Sequence, residues 1–180
     1  MLIKRWEEEI KPKLQRELKI ANHMAIPQVE RVVVHMGIAA EKDDQSMIDE
    51  LSGQLALITG QKAKLCRAKK SISGFKLRQG EPVGLKVTLR GKRMYNFLEV
   101  LFNLVLPRLR DFRGLSVSKF DAQANYSLGL PEQTVFPTLP IEKIKRIKGM
   151  EVTLVTSTTD LKQAKKLLLA LGLPLVEKRK

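Results

Sequence analysis

Cysteine, histidine and aromatic side chains are scarce in this sequence, and each scarcity narrows what the chain can be. With one cysteine, Cys66, there is no internal disulfide, a usage that fits a reducing compartment without proving it. Two histidines, His23 and His35, and that single thiol give no cluster with zinc-ligand spacing. Aromatic residues make up 5% of the chain, so aliphatic side chains must fill most of any core. Long apolar runs are missing as well. The most apolar stretch, Met94–Leu106, is interrupted by Asn96, Glu99 and Asn103, and it is shorter than the ~20 residues a membrane-spanning helix needs. Met1–Arg16 is charged throughout, without the apolar centre of a signal peptide.

What the chain has in excess is positive charge. Lys and Arg number 33 against 19 acids, a net +14 over 180 residues. Such a balance attracts polyanions, either nucleic acid or an anionic membrane surface. A hydrophobic fraction of 43% is enough for a real core and excludes a disordered tail. The length suits a single domain spanning residues 1–180.

Periodicity predicts the elements. Residues 2–19 read as a helix with Trp6, Ile10, Leu14 and Leu18 on one face and a kink or restart at Pro12. Val29–Met36 reads as a strand ending at Gly37. The acidic turn Glu41–Asp44 leads into a helix over Ser46–Thr59, apolar at Ile48, Leu51, Leu55 and Ile58 and stopped by Gly60. Solvated capping accounts for Asp43 and Asp44. Strands follow at Ala63–Ala68 and Val83–Leu89, separated by a Ser71–Pro82 loop with Gly74, Gly80 and Pro82 as breakers. Arg93–Leu106 is a helix ended by Pro107. Short strands are expected at Ser116–Phe120 and Asn125–Leu128, a small helix around Ile141–Ile147, and a strand at Glu151–Thr156. Asp160 caps a last helix that runs to Leu171 and closes at Gly172. Mixed elements without a parallel repeat or a dinucleotide fingerprint predict an α+β fold, an antiparallel-rich sheet with helices packed mainly on one side.

The charge is concentrated. Lys62–Arg93 holds eleven cations (Lys62, Lys64, Arg67, Lys69, Lys70, Lys76, Arg78, Lys86, Arg90, Lys92 and Arg93) against one acid, Glu81, so it carries +10 of the net +14. An ordinary solvated surface intersperses both signs. Strand alternation places Lys86, Thr88 and Arg90 on one face, where cations and a hydroxyl together suit phosphates and 2′-hydroxyls. Phe75, in the loop, is available to pack or to stack on a base. The basic end, Glu177–Lys180, reads equally as a frayed terminus or a contact.

Enzyme chemistry finds no support. Gly80–Lys86 (GEPVGLK) resembles a phosphate loop only loosely, lacks its spacing and leads into a strand where a helix is required. Asn125–Ser127 (NYS) matches a glycosylation acceptor by chance in a chain without a secretory signal. Cys66 reads as a small buried apolar residue rather than a nucleophile. No metal, no cofactor and no catalytic residue is expected.

Six ordered blocks carry a further pattern: Ile58–Lys62 (ITGQK), Ala68–Arg78 (AKKSISGFKLR), Val87–Arg90 (VTLR), Pro107–Gly114 (PRLRDFRG), Asn125–Leu130 (NYSLGL) and Gly149–Thr153 (GMEVT). From about Trp6 to Pro174 the chain resembles the large-subunit ribosomal protein number five family, in its bacterial and organellar form. The resemblance implies a structural ribosomal protein, not an enzyme, in the cytoplasmic ribosome or an organelle's. It implies a sheet face that docks 5S ribosomal RNA in the central protuberance, with Gln61 and Thr88 hydrogen-bonding the RNA beside Lys62 and Lys86. His35, Lys64, Arg67, Lys69, Lys70 and Arg90 complete the expected RNA-binding set. The loop residues Ser71, Ser73, Gly74, Phe75, Lys76, Arg78, Gln79 and Gly80 are expected to reach the elbow of the peptidyl-site tRNA. Arg110, Asp111 and Arg113, with Lys145 and Arg146, are expected to face a small-subunit head protein across an intersubunit bridge. Large-subunit rRNA and other large-subunit proteins are further implied partners, and no membrane is.

The chain departs from the family in three places. His35 stands where asparagine is usual, and imidazole offers its donor and acceptor at different points in space; the position is either an RNA contact or a partly buried strand histidine. Ala122 replaces a frequent glycine, which disfavours a left-handed backbone there. Lys178–Lys180 extends past the usual end. Two other classes compete: a general RNA or DNA chaperone needs the charge but not the six blocks, and a nucleic-acid enzyme needs a carboxylate cluster or an activated nucleophile.

Overall fold

The computed structural model describes all residues except Asp111, Ile141, Lys143 and residues 177–180. Asp111 and the basic C-terminal end therefore lie outside the described residues. Five strands form one antiparallel sheet, β1 Val29–Gly37, β2 Lys64–Arg67, β3 Pro82–Leu89, β5 Tyr126–Leu130 and β6 Met150–Thr156, in the order β2-β3-β1-β6-β5. β4 Leu115–Ser116 and β7 Leu175–Val176 pair separately and in parallel. The α+β class is as the sequence predicts. The chain packs as two compact units. One comprises Met1–Val32, Arg90–Leu128 and the chain from Thr153; the other comprises Val33–Leu89 and Gly129–Val152.

In the first unit, helix α1 runs from Leu2–Arg5 through a π-helical turn, Trp6–Ile10, into Lys11–Leu18. The expected kink at Pro12 takes the form of this wider turn. Pro12 has no N–H and its ring crowds the carbonyl four residues back; the Lys11 N–H bonds Trp6 O instead, so the helix continues. Helix α3 repeats the device. It runs from Gly91–Val100 through a π turn at Leu101–Val105 into Leu106–Arg108. The helix runs two residues past the expected end at Leu106 and stops at Arg108, directly after Pro107, with Leu109 extended. The Trp6 and Tyr95 rings stack at 6.4 Å between α1 and α3. Helix α4, Leu161–Leu171, is capped by Asp160, which accepts the Lys162 N–H, and closes at Gly172 with φ +102°. It packs against α1.

The strand expected over Ser116–Phe120 is confined to Leu115–Ser116, and Val117–Lys119 turns as a 3-10 helix. The Ser116 side chain accepts the Ser118 N–H, offering the backbone an alternative to a ladder. Gly114 precedes this strand at φ +92°, and a Cβ there would lie 2.2 Å from Val176 Cγ2, so no other residue fits. Tyr126 is buried and donates its hydroxyl to Ser116 O at 3.0 Å. The left-handed residue in the following turn region is Ala124 (φ +59°), not Ala122.

In the second unit, helix α2, Gln45–Thr59, starts where Asp44 accepts the Met47 N–H and ends at Gly60 with φ +68°. Ile48, Leu51, Leu55 and Ile58 are all buried, as their spacing predicts. α2 packs against β3, whose Leu85, Val87 and Leu89 are buried. On the opposite face of β3 Lys86 is exposed and Thr88 half-exposed, while Gly84 is covered.

The acidic turn is not all solvated capping. Glu41 is buried, and its Oε1 forms ion pairs with Arg146 Nη1 at 2.9 Å and Lys148 Nζ at 2.7 Å. A polar network extends this clamp. Gln133, wholly buried, donates from Nε2 to Arg146 O (2.8 Å) and Gln54 Oε1 (3.3 Å), and its Oε1 accepts the Lys148 N–H. Glu50 receives Gln54 Nε2 and pairs with Lys145 Nζ at 3.3 Å. Residues 144–149 are held by these bonds without a helix, with bends at Lys145 and Arg146; of the small helix expected over Ile141–Ile147 the described residues keep a 3-10 position at Glu142, and Ile141 and Lys143 lie outside the described residues.

Breaking this network strands buried polar groups, which costs about 1–3 kcal/mol per group. Gln133→Leu is therefore expected to lower the melting temperature by several degrees, while Gln123→Ala, at an exposed position, leaves it unchanged. Thermal unfolding of the two variants side by side checks this; equal melting temperatures would show the network to be dispensable.

Candidate nucleic-acid interface

The outer face of the β2–β3 ribbon is where the charge is built. The strands are antiparallel in a register that sets Lys64 opposite Lys86, Leu65 opposite Leu85 and Cys66 opposite Gly84. Directly opposed residues share a face, so Lys64 and Lys86 stand side by side, both exposed. Like charges in that position destabilise a ladder by a few tenths to ~1 kcal/mol. Lysine on an edge strand does guard against unwanted pairing, and β2 is an edge. That reason does not extend to Lys86, which sits on β3 with neighbours on both sides. Cys66 on β2 is half-buried, short of the full burial expected of it, because an edge strand is covered on fewer sides.

Polar groups without charge flank the two lysines. Past the Gly60 turn, the Thr59 hydroxyl accepts the Gln61 N–H and so fixes how Gln61 leaves the helix. Gln61 Nε2 donates to Thr88 O at 3.3 Å, which brings the two expected hydrogen-bonding residues together. Among the described residues the Thr88 hydroxyl has no partner and is half-exposed. Lys62 and Arg90 are exposed at the ends of this face. His35, on the neighbouring strand β1, is exposed, which removes the buried-histidine alternative. Its Nε2 lies 2.6 Å from where a Cβ of Gly84 would stand, so the imidazole crosses bare backbone that a larger residue would displace.

The Ser71–Pro82 loop is a built structure rather than an open excursion. Ile72 and Leu77 bridge across it, Ser73–Phe75 makes a 3-10 turn, and Lys76 takes φ +49° at the bend. Phe75 is 80% exposed at the tip. The base is stapled by Glu81, the one acid of the basic segment. Its Oε2 accepts the Arg78 N–H at 3.0 Å and pairs with Lys42 Nζ at 2.9 Å, and Lys42 also donates to Lys76 O. The Arg78 backbone bond, followed by the Lys42 bond, holds the Glu81 carboxyl below its ordinary value. Gln79 N–H donates to Ser71 Oγ, and Arg67 Nη1 donates to Gly80 O at 2.9 Å. Arg67 is thus partly committed to the loop base, whereas Lys69, Lys70, Ser71, Ser73, Gly74, Lys76, Arg78 and Gly80 are exposed around it.

The expected bridge residues divide. Arg110 and Arg113 are both exposed, in the first unit. Lys145 and Arg146 belong to the second, each tied to an acid, Glu50 and Glu41. The ion pairs of Glu41 and of Lys42 with residues 39 or more positions away were not visible in the sequence, because no local period links such partners. Among the described residues no cluster of three His, Cys, Asp or Glu side chains is placed to hold a metal, and no helix is long and apolar enough to cross a membrane.

Known proteins match this chain along its length. A family model described as ribosomal protein L5 covers residues 22–78, and the model for the C-terminus of that ribosomal family covers residues 82–175. The chain is 49% identical to the large ribosomal subunit protein uL5 of Natranaerobius thermophilus over 96% of its own length and 97% of the relative's. Against the protein of the same name from Halothermothrix orenii it is 47% identical over 97% of both chains. Against that from Thermotoga maritima it is 48% identical over 94% of this chain and 92% of the relative. With a basic sheet face and family blocks from end to end, the chain belongs to the ribosomal protein L5 family, a structural, non-enzymatic and rRNA-binding component of the large ribosomal subunit.

Proposed function

We propose that the outer face of the β2–β3 ribbon binds 5S ribosomal RNA in the central protuberance. The observation that carries this reading is the Lys64–Lys86 pair, two like charges held in register on a face where the Thr88 hydroxyl and the His35 imidazole have no partner among the described residues. Phosphates between the two lysines turn a repulsion into two attractions, and Thr88, Gln61 and His35 beside them supply hydrogen bonds to ribose or base edges. Lys62, Lys69, Lys70 and Arg90 extend the cationic border, with Arg67 reduced to a shared role by its bond to Gly80.

On the same reading the stapled loop reaches the peptidyl-site tRNA, with Phe75 offered at its tip for stacking and Lys76 and Arg78 for phosphates. The Arg110–Gly114 region and residues 144–149 face a small-subunit head protein. The Glu41 and Gln133 network supports a preformed 144–149 surface, since it fixes that backbone in the isolated chain.

Two measurements test this. Lys64→Gln relieves the cross-strand repulsion, so the melting temperature is expected to hold or rise slightly while affinity for 5S RNA falls and the salt dependence flattens by about one log–log unit. Thr88→Val removes a hydroxyl that has no internal partner, and is expected to weaken 5S binding at an unchanged melting temperature. Gel-shift titrations over a salt series decide both. Loss of stability without loss of binding would make these residues structural, and binding equal to that of random RNA at every salt concentration would reject specific recognition. For the loop, Glu81→Gln weakens the Lys42 and Arg78 bonds; limited proteolysis with trypsin is expected to cut faster at Lys76 and Arg78, with cleavage elsewhere unaltered.

A further inference from the structure

A second polar cleft lies wholly within the first unit, away from every residue assigned above. It measures about 240 Å³ and is lined by Arg31, Gln123, Asn125, Ser157, Thr158 and Thr159 among others. Its side chains fall into two groups. Asn125 is fixed: its Oδ1 accepts the Thr156 N–H at 3.2 Å and its Nδ2 donates to Asp121 Oδ2 at 2.9 Å. Thr158 Oγ1 accepts the Asp160 N–H and donates to Gln163 Oε1. Ser157 Oγ accepts the Gln28 N–H, leaving its own hydrogen to donate. These groups make a frame.

The other group has nothing to bind. Among the described residues, Arg31 makes no ion pair and no side-chain hydrogen bond, and the same holds for the Gln123 amide and the Thr159 hydroxyl. Arg31 is half-buried and lines the cleft. Asp121, an acid linked to the cleft through Asn125, is already engaged. It accepts the backbone N–H groups of Gln123 (2.9 Å) and Asn125 (2.7 Å) and the Asn125 amide, and the Asn125 side-chain bond leads in holding its carboxyl below the ordinary value. Asp121 therefore orients the cleft's wall, and among the described residues no ion pair joins it to Arg31.

A guanidinium, an amide and two hydroxyl donors with no internal acceptor, set in a rigid polar frame, suit one ligand class: an oxyanion that also carries hydroxyls. In a component of the large ribosomal subunit that chemistry is the RNA sugar–phosphate backbone. We infer that the Arg31 cleft is a second RNA-backbone site, taking a phosphate on Arg31 and the adjoining ribose on Gln123, Ser157 and Thr159. Contacts of this kind position an RNA strand rather than specify its sequence.

The test is a filter-binding salt series with the full chain on 5S rRNA and, separately, on protein-free 23S rRNA. Arg31→Ala is expected to lose about one unit of log–log slope on one of the two RNAs, which names the source of the phosphate. Arg31→Lys is expected to keep the slope, since it keeps the charge. Arg31→Gln retains the apolar stem and stands in if the alanine variant melts early. A wild-type slope on both RNAs overturns the proposal, and so does an equal loss on both, which marks a general charge effect. Lys64→Gln in the same series reports separately on the sheet face, so either site can fail alone.

Discussion

Two lysines facing one another across an antiparallel ladder are an arrangement a free-standing protein has reason to avoid. Much of what surrounds Lys64 and Lys86 serves to keep them there. The buried side of β3 is tied down by Leu85, Val87 and Leu89 against α2, so the strand cannot twist its lysine away without opening the core. Burying leucine- and valine-sized side chains is worth roughly 1.5–3 kcal/mol each, which outweighs a repulsion below about 1 kcal/mol. The fold holds unfavourable electrostatics in place with apolar packing, and on the proposed reading a polyanion collects the benefit on binding. Rigidity on this face means that little further order has to be imposed when the partner arrives.

The same logic governs the polar interior. Glu41, Gln133 and Glu50 do not add up to a large stabilisation, since desolvation offsets most of what buried ion pairs gain. Their effect is to select one backbone path for residues 144–149. Glu81 does the equivalent for the basic loop, and its solitary position in an otherwise acid-free segment follows from that role. The π turns ahead of Pro12 and Pro107 let α1 and α3 continue through residues that ordinarily break helices.

Much of this was legible in the sequence, for reasons that can be named. The α2 face at Ile48, Leu51, Leu55 and Ile58 and the outward Lys86, Thr88 and Arg90 follow from fixed periods of 3.6 and 2. Asp44, Gly60, Asp160 and Gly172 are local end signals and sit where local chemistry puts them. What stayed hidden depends on distant partners. Nothing near Glu41 announces Arg146 and Lys148, and nothing near Arg31 announces the Asn125 and Thr158 frame. Ser116–Phe120 misleads because a serine side chain captures a backbone N–H that strand propensity assigns to a ladder. The π turn at Leu101–Val105 stayed hidden as well, although the helix does stop at Arg108, next to Pro107.

The central claim is that the acid-free middle of the chain closes on one particular RNA. Ultraviolet crosslinking of intact large subunits, followed by digestion and sequencing of the RNA attached to peptides from Lys62–Arg93, tests it most directly. The account predicts 5S rRNA on the peptides that contain Lys64 and Lys86. Recovery of those peptides bare, or joined only to other RNA, would contradict it.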